Sequence, residues 1–150
     1  MPSELPPLPA EAIEIGVTVS DWREAVERTG QALARSGATT VVYAAEMIRM
    51  IDEHGPYVVI APGLALAHAR PGPAVLADGL AVVTLSPPVD FGHPHNDPVR
   101  VVVGLAIATA ENHLGAVAAI ANIFNDSSAV DQLADATTVE QVQRVMAVEL

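Results

Sequence analysis

The chain has 150 residues, of which 51% are apolar and 3% aromatic, and it has no cysteine. One folded domain with a core of Ala, Val, Leu and Ile follows, while disorder, disulfides, thiolate catalysis and cysteine-based zinc sites are excluded. Seven basic residues, all arginine, face eighteen acidic ones for a formal charge of −11, which argues against nucleic-acid binding and fits either plain solubility or docking on a basic protein surface.

Residues 1–10 carry four prolines and read as a flexible tail, with one domain over 11–150. The tail is acidic, not basic and then apolar, so it does not read as a signal peptide. Residues 13–19 alternate and predict a strand. Ser20 or Asp21 can cap a helix over 22–34, with Trp22, Val26, Thr29 and Leu33 as its inner stripe and Gly37 as its stop. Thr39 or Thr40 opens a second helix that ends at Gly55 before Pro56. Residues 57–60 and 64–66 predict short strands around a Pro62-Gly63 turn.

Residues 79–85 predict a strand broken by Ser86-Pro87-Pro88, and 91–98 a polar loop. The β-branched run 99–108 predicts a central strand that is apolar on both faces. The longest apolar run, 101–110, is far shorter than the ~20 residues of a membrane span, so a soluble cytoplasmic protein is expected. Asn112 then caps a helix, and two shorter helices over 126–134 and 139–148 close the chain. Most strands lie in the middle and helices at both ends. The fold class is therefore α/β: a three-layer sandwich with a mixed sheet of about five strands flanked by helices.

The candidate chemistry lies in the histidines. His68 follows a short strand, among small apolar residues and two positions before Arg70. It is either a satisfied core histidine or a nucleophile: an uncharged imidazole nitrogen attacks phosphorus, and an arginine would steady the phosphoryl oxygens. His113 falls in the first turn of the helix after Asn112, where backbone N–H groups face an anion. It is either a second phosphoryl ligand or an ordinary first-turn residue. His93-Pro94-His95, with Asp97 and His68, has the composition of a metal tract, but the same residues suit a solvated turn. His54 sits at a helix end, where its charge complements the dipole. Serine-hydrolase, P-loop and zincin signatures are absent.

Several segments together carry a resemblance: Trp22-Arg23-Glu24-Ala25-Val26, His54-Gly55-Pro56-Tyr57-Val58-Val59-Ile60-Ala61-Pro62-Gly63-Leu64-Ala65-Leu66-Ala67-His68-Ala69-Arg70-Pro71, Val83-Thr84-Leu85, Pro88-Val89-Asp90-Phe91-Gly92-His93, Asn96-Asp97-Pro98-Val99 and His113-Leu114. Over 22–133 the chain resembles the IIA components of sugar phosphotransferase systems, of the mannitol/fructose (type 2) superfamily and nearest its ascorbate branch.

The resemblance implies a transferase that carries phosphate. A histidine matching His68 accepts the group from the phosphocarrier HPr and passes it to a cysteine of a IIB partner, which serves a membrane IIC partner. A second histidine, matching His113, assists, and Arg70 is an accessory candidate. No cofactor and no metal are implied, and a homodimer is left open. A regulatory IIA-like module without a permease, and a metal-dependent enzyme using His68, His93 and His95, are the alternatives. The acidic surface would suit a basic HPr face, and Ala65, Leu66, Ala67 and Ala69 would form a dry rim. Where the family usually has proline before the active histidine, this chain has Ala67. That exchange predicts a looser loop and slower transfer.

Overall fold

The computed structural model describes residues 5–147. Its elements run β1 (Ile13–Val17), α1 (Trp22–Arg35), α2 (Tyr43–His54), β2 (Val59–Ala61), β3 (Leu64–His68), β4 (Gly79–Val89), β5 (Val99–Ala106), α3 (Ala110–Phe124), α4 (Ala129–Asp135) and α5 (Val139–Met146), after a 3₁₀ turn at Ala10–Ala12. The strands form one five-stranded sheet in the order β1-β4-β5-β3-β2. β1 and β3 lie parallel to their central neighbours β4 and β5, while β4/β5 and β2/β3 are antiparallel. The expected mixed α/β sandwich is therefore what the chain forms.

The period-2 rule builds the two cores. Ala65, Ala67, Ala81, Val83, Val102 and Ala106 face one layer with Val26, Leu33, Tyr43 and Met47 of α1 and α2. Leu64, Leu66, Leu80, Val82, Val101, Val103 and Leu105 face the other, with Ile120 of α3, Leu133 of α4 and Val142 and Met146 of α5. The central strands are buried on both faces, so they read as continuous apolar runs. Asp21 caps α1 by accepting the Glu24 N–H. Gly30 lets α2 approach α1 closely: a Cβ on it would lie 2.4 Å from the Ala44 Cβ. Tight packing of that kind sets where α2 places its last turn. Among the described residues no helix is long and apolar enough to cross a membrane.

Several expectations change. Residues 5–10 of the expected tail lie against the sheet: the Pro7 carbonyl accepts the Leu80 N–H at 3.1 Å, and the Leu8 carbonyl accepts Gln143 Nε2 at 3.0 Å. Residues 1–4 lie outside the described residues, as does Val148 of the last predicted helix. Ser86-Pro87-Pro88 does not end its strand. β4 runs on to Val89, and its register with β5 shifts between Thr84 and Val89, so the prolines occupy a ladder irregularity where no N–H is required. α2 starts at Tyr43, later than Thr39 or Thr40 would allow, because Thr39 bridges to Val75 and the Thr40 N–H is held by the Ala74 carbonyl.

Candidate active site

His68 is the last residue of β3. The strand extends two residues beyond its expected end, since Ala67 pairs with Gly104 and His68 with Leu105 of the parallel strand β5. Ala67 is fully buried. The backbone before the histidine is thus held by strand pairing and does not lie in a loop.

Parallel pairing also explains why distant residues meet. The ends of β3 and β5 lie at one edge of the sheet, and β5 leads directly into α3. Asp78 fastens that connection by accepting the Ala108 N–H at 2.8 Å. Tyr43, on α2, ties the two strand ends together. Its hydroxyl accepts the Ala69 N–H at 2.9 Å and donates to the Leu105 carbonyl, also at 2.9 Å. Burial pushes that hydroxyl up to about 12, so it stays protonated and able to donate.

A groove of about 410 Å³ opens at this edge. His68, Arg70 and His113 all line it, together with Met50, His54, Tyr57, Ala69, Pro71 and Ala110. The His68 and His113 ring centroids are 5.6 Å apart with the planes tilted by 45°. His68 Nδ1 lies 2.9 Å from the Leu66 carbonyl oxygen. A carbonyl can only accept, so Nδ1 carries the proton and Nε2 keeps its lone pair. Burial drives the His68 pKa below the usual histidine range; the Leu66 hydrogen bond opposes this and the charge of His113 adds to it. The ring is consequently neutral and nucleophilic at neutral pH. Arg70 takes part in none of the ion pairs among the described residues.

His113 arrives by a different route from the one expected. Thr109, not Asn112, caps α3, its Oγ1 accepting the Asn112 N–H at 3.2 Å. The His113 N–H is already bonded to the Thr109 carbonyl. His113 therefore contributes its ring, and Ala110 is the helix-start residue that lines the groove. The dry rim also has other members. Ala65, Leu66 and Ala67 are buried in the sheet, and the apolar lining comes from Met50, Tyr57, Ala69, Pro71 and Ala110. Tyr57 and His54 were legible only as parts of a motif, because nothing in their own spacing shows that the link after α2 folds back to β3.

The metal tract is not assembled. His93 Nδ1 accepts the N–H groups of His95 and Asn96, both at 3.1 Å, and the Asp97 carboxylate accepts those of Phe91, Gly92 and His93. These side chains hold the 91–98 loop, and neither His93 nor His95 lines the groove with His68. Among the described residues no group of three or more histidine, cysteine or carboxylate side chains could hold a metal ion.

Comparison with known proteins agrees with this architecture. The family model for the phosphoenolpyruvate-dependent sugar phosphotransferase system EIIA 2 matches residues 7–148. The ascorbate-specific PTS system EIIA component of Escherichia coli K12 is 32% identical over 133 residues, covering 88% of this chain and 86% of that protein. The crystal structure of the mannitol IIA of Escherichia coli superposes with a TM-score of 0.83 at 26% identity, over 94% of this chain and 99% of that one. A complex of mannitol enzyme IIA with phosphorylated enzyme IIB, also from Escherichia coli, matches with a TM-score of 0.85 at 25% identity, over 97% of this chain and 100% of that one. The chain belongs to the EIIA 2 family of the phosphoenolpyruvate-dependent sugar phosphotransferase system.

Proposed function

We propose that this chain is a phosphohistidine carrier in which His68 Nε2 accepts a phosphoryl group from phospho-HPr and hands it to a cysteine thiolate of a IIB partner. The observation that carries the reading is the 2.9 Å contact between His68 Nδ1 and the Leu66 carbonyl, which leaves Nε2 as the free nucleophile. In the accepting step the Nε2 lone pair forms the new bond to phosphorus. The donor's N–P bond breaks, and its electron pair returns to the donor imidazole. The His68 ring becomes an imidazolium, whose Nδ1–H is already directed at a carbonyl. Arg70 and His113 oppose the charge on the phosphoryl oxygens. Little covalent machinery is required, because positioning and charge stabilisation supply most of the acceleration.

The partner reading is supported by the structural likeness to mannitol IIA in complex with phosphorylated IIB. Ascorbate or a related substrate is supported by the ascorbate-specific relatives. That IIB would in turn serve a membrane IIC partner. We place the protein in the cytoplasm, where HPr is available.

Incubation with phosphoenolpyruvate, Enzyme I and HPr tests the assignment. Acid-labile phosphate is expected on the wild-type chain and none on His68→Ala. Labelling of that variant at the wild-type level would overturn the role of His68.

A further inference from the structure

Tyr57 is a large ring that the core does not need. It belongs to neither apolar core cluster and is 40% exposed. The short link between α2 and β2 nevertheless directs it at the groove. Gly55 takes φ +84°, Pro56 fixes the next φ, and the Tyr57 N–H turns back onto the Gly55 carbonyl at 2.9 Å. Its ring meets that of His68 in a T-shaped contact, with centroids 5.9 Å apart and planes at 84°. The same ring meets His54 at 6.3 Å and 80°. Tyr57 is thus braced between two imidazoles, one of them the candidate nucleophile, and shares the groove with Arg70. T-shaped contacts of this kind fix ring orientation as well as burying area.

We propose that the Tyr57 ring is the water shield of the phosphorylated carrier, a role that rests on the reading of His68 as the phosphoryl acceptor. A phosphohistidine is lost when water attacks phosphorus in line with the Nε2–P bond. The Nε2–P electron pair then returns to the imidazole, the water oxygen bonds to phosphorus, and both water protons leave with the phosphate. Among the described residues Tyr57 is the one Phe, Tyr or Trp side chain lining the groove, and its ring stands against His68, where its bulk would keep water from the phosphoryl group. A donor or acceptor protein brings its own reactive group to the groove and excludes water itself, so the shield acts while the carrier is alone. His54 is then a positioning residue that keeps Tyr57 against His68.

The test is the lifetime of isolated phosphoprotein. Wild type, Tyr57→Phe, Tyr57→Leu, Tyr57→Ala and His54→Ala are each labelled through Enzyme I and HPr. They are then separated from both donors, and the decay of acid-labile phosphate is followed at neutral pH. Each of the four variants is expected to accept label, and its decay is read as a fraction of its own starting label. Tyr57→Phe is expected to decay within about twofold of wild type and Tyr57→Ala at least about tenfold faster, a factor equivalent to roughly 1.4 kcal/mol of barrier. Tyr57→Leu, which keeps apolar bulk and guards against misfolding, is expected to decay several-fold faster, as is His54→Ala. Wild-type lifetimes in both Leu and Ala variants would overturn the proposal, and so would a Phe variant that decays as fast as Ala, since the hydroxyl would then be the active part. Absence of label on wild type would instead remove the phosphoryl-acceptor reading on which the proposal stands.

Discussion

The rings of His68 and His113 lie 5.6 Å apart because β3 runs parallel to β5 and β5 leads straight into the helix that carries His113. Two imidazoles this close resist being charged together, and burial of His68 acts in the same direction. His68 should therefore titrate below an ordinary histidine, whose midpoint is about 6.5. Replacement of His113 by Gln removes the smaller cause, so the His68 midpoint should rise but stay below that of an exposed histidine, as read from imidazole NMR shifts. A His68 midpoint unchanged by the substitution would show that the two rings do not interact electrostatically.

The same shift has a sign for stability. A histidine whose folded pKa is lowered is more readily protonated in the unfolded chain, so lower pH favours unfolding. The contribution of neutral His68 is complete above about 6.5 and is lost as pH falls from there through the lowered folded value. A His68→Gln variant should lack that part of the acid destabilisation when denaturant midpoints are compared across the window. Parallel pH profiles for wild type and His68→Gln would contradict the assignment.

Tyr43 offers a test of how the strand end is held. Tyr43→Phe removes the oxygen that accepts the Ala69 N–H and donates to the Leu105 carbonyl. Two buried backbone groups lose their partner without any change in shape, which should cost about 1–3 kcal/mol in chemical denaturation. Because Ala69 follows His68 directly, phosphoryl transfer should slow as well, with the acid-labile product still on His68. A variant as stable as wild type would mean that water replaces the hydroxyl.

The element order was legible because the apolar periods are clean. Residues 99–108 read as a central strand because the run is β-branched and apolar on both faces, and 22–34 as a helix because Ser20 or Asp21 can cap it and its inner stripe recurs at helical spacing. Misreadings arose where a tertiary contact overrode a local signal. Pro87 and Pro88 look like breakers but sit in a ladder shift. Asn112 is a good cap by type, yet Thr109 occupies the cap position three residues earlier. In the site, His68, Arg70 and His113 could be named from the sequence as candidates. Tyr57, His54 and Met50 could not, because their approach to His68 depends on how α2 packs and how the chain turns after it.

Arg70 is the cation of the groove without an ion-pair partner among those described. In a chain of net charge −11, an arginine left in the same groove as His68 is placed to meet an anion. Arg70→Gln should slow transfer from phospho-HPr by about ten- to a hundred-fold, the range that loss of one charge-assisted hydrogen bond implies. Arg70→Lys should fall between, since it keeps the charge and loses the planar fork. Stopped-flow phosphorylation of the two variants reads the difference. Transfer at the wild-type rate in Arg70→Gln would confine Arg70 to shaping the turn.

Gly30 decides where α2, and with it the groove wall, can sit. In an open helix Gly→Ala would stabilise by about 1 kcal/mol through propensity. Here the new Cβ would lie 2.4 Å from the Ala44 Cβ and 2.8 Å from its Cα. Backbone atoms of a packed helix cannot yield as a flexible side chain would, so the helices must separate, at a typical overpacking cost of about 1–3 kcal/mol. Overpacking should win, with Gly30→Ala lowering the denaturant midpoint. Since Tyr43, Met50 and His54 ride on the displaced helix, phosphoryl transfer should fall too. Moving the methyl group instead of adding one, in Gly30→Ala with Ala44→Gly, restores the space, and the double variant should recover part of both losses. If it recovers neither, close contact between Gly30 and Ala44 is not what positions α2.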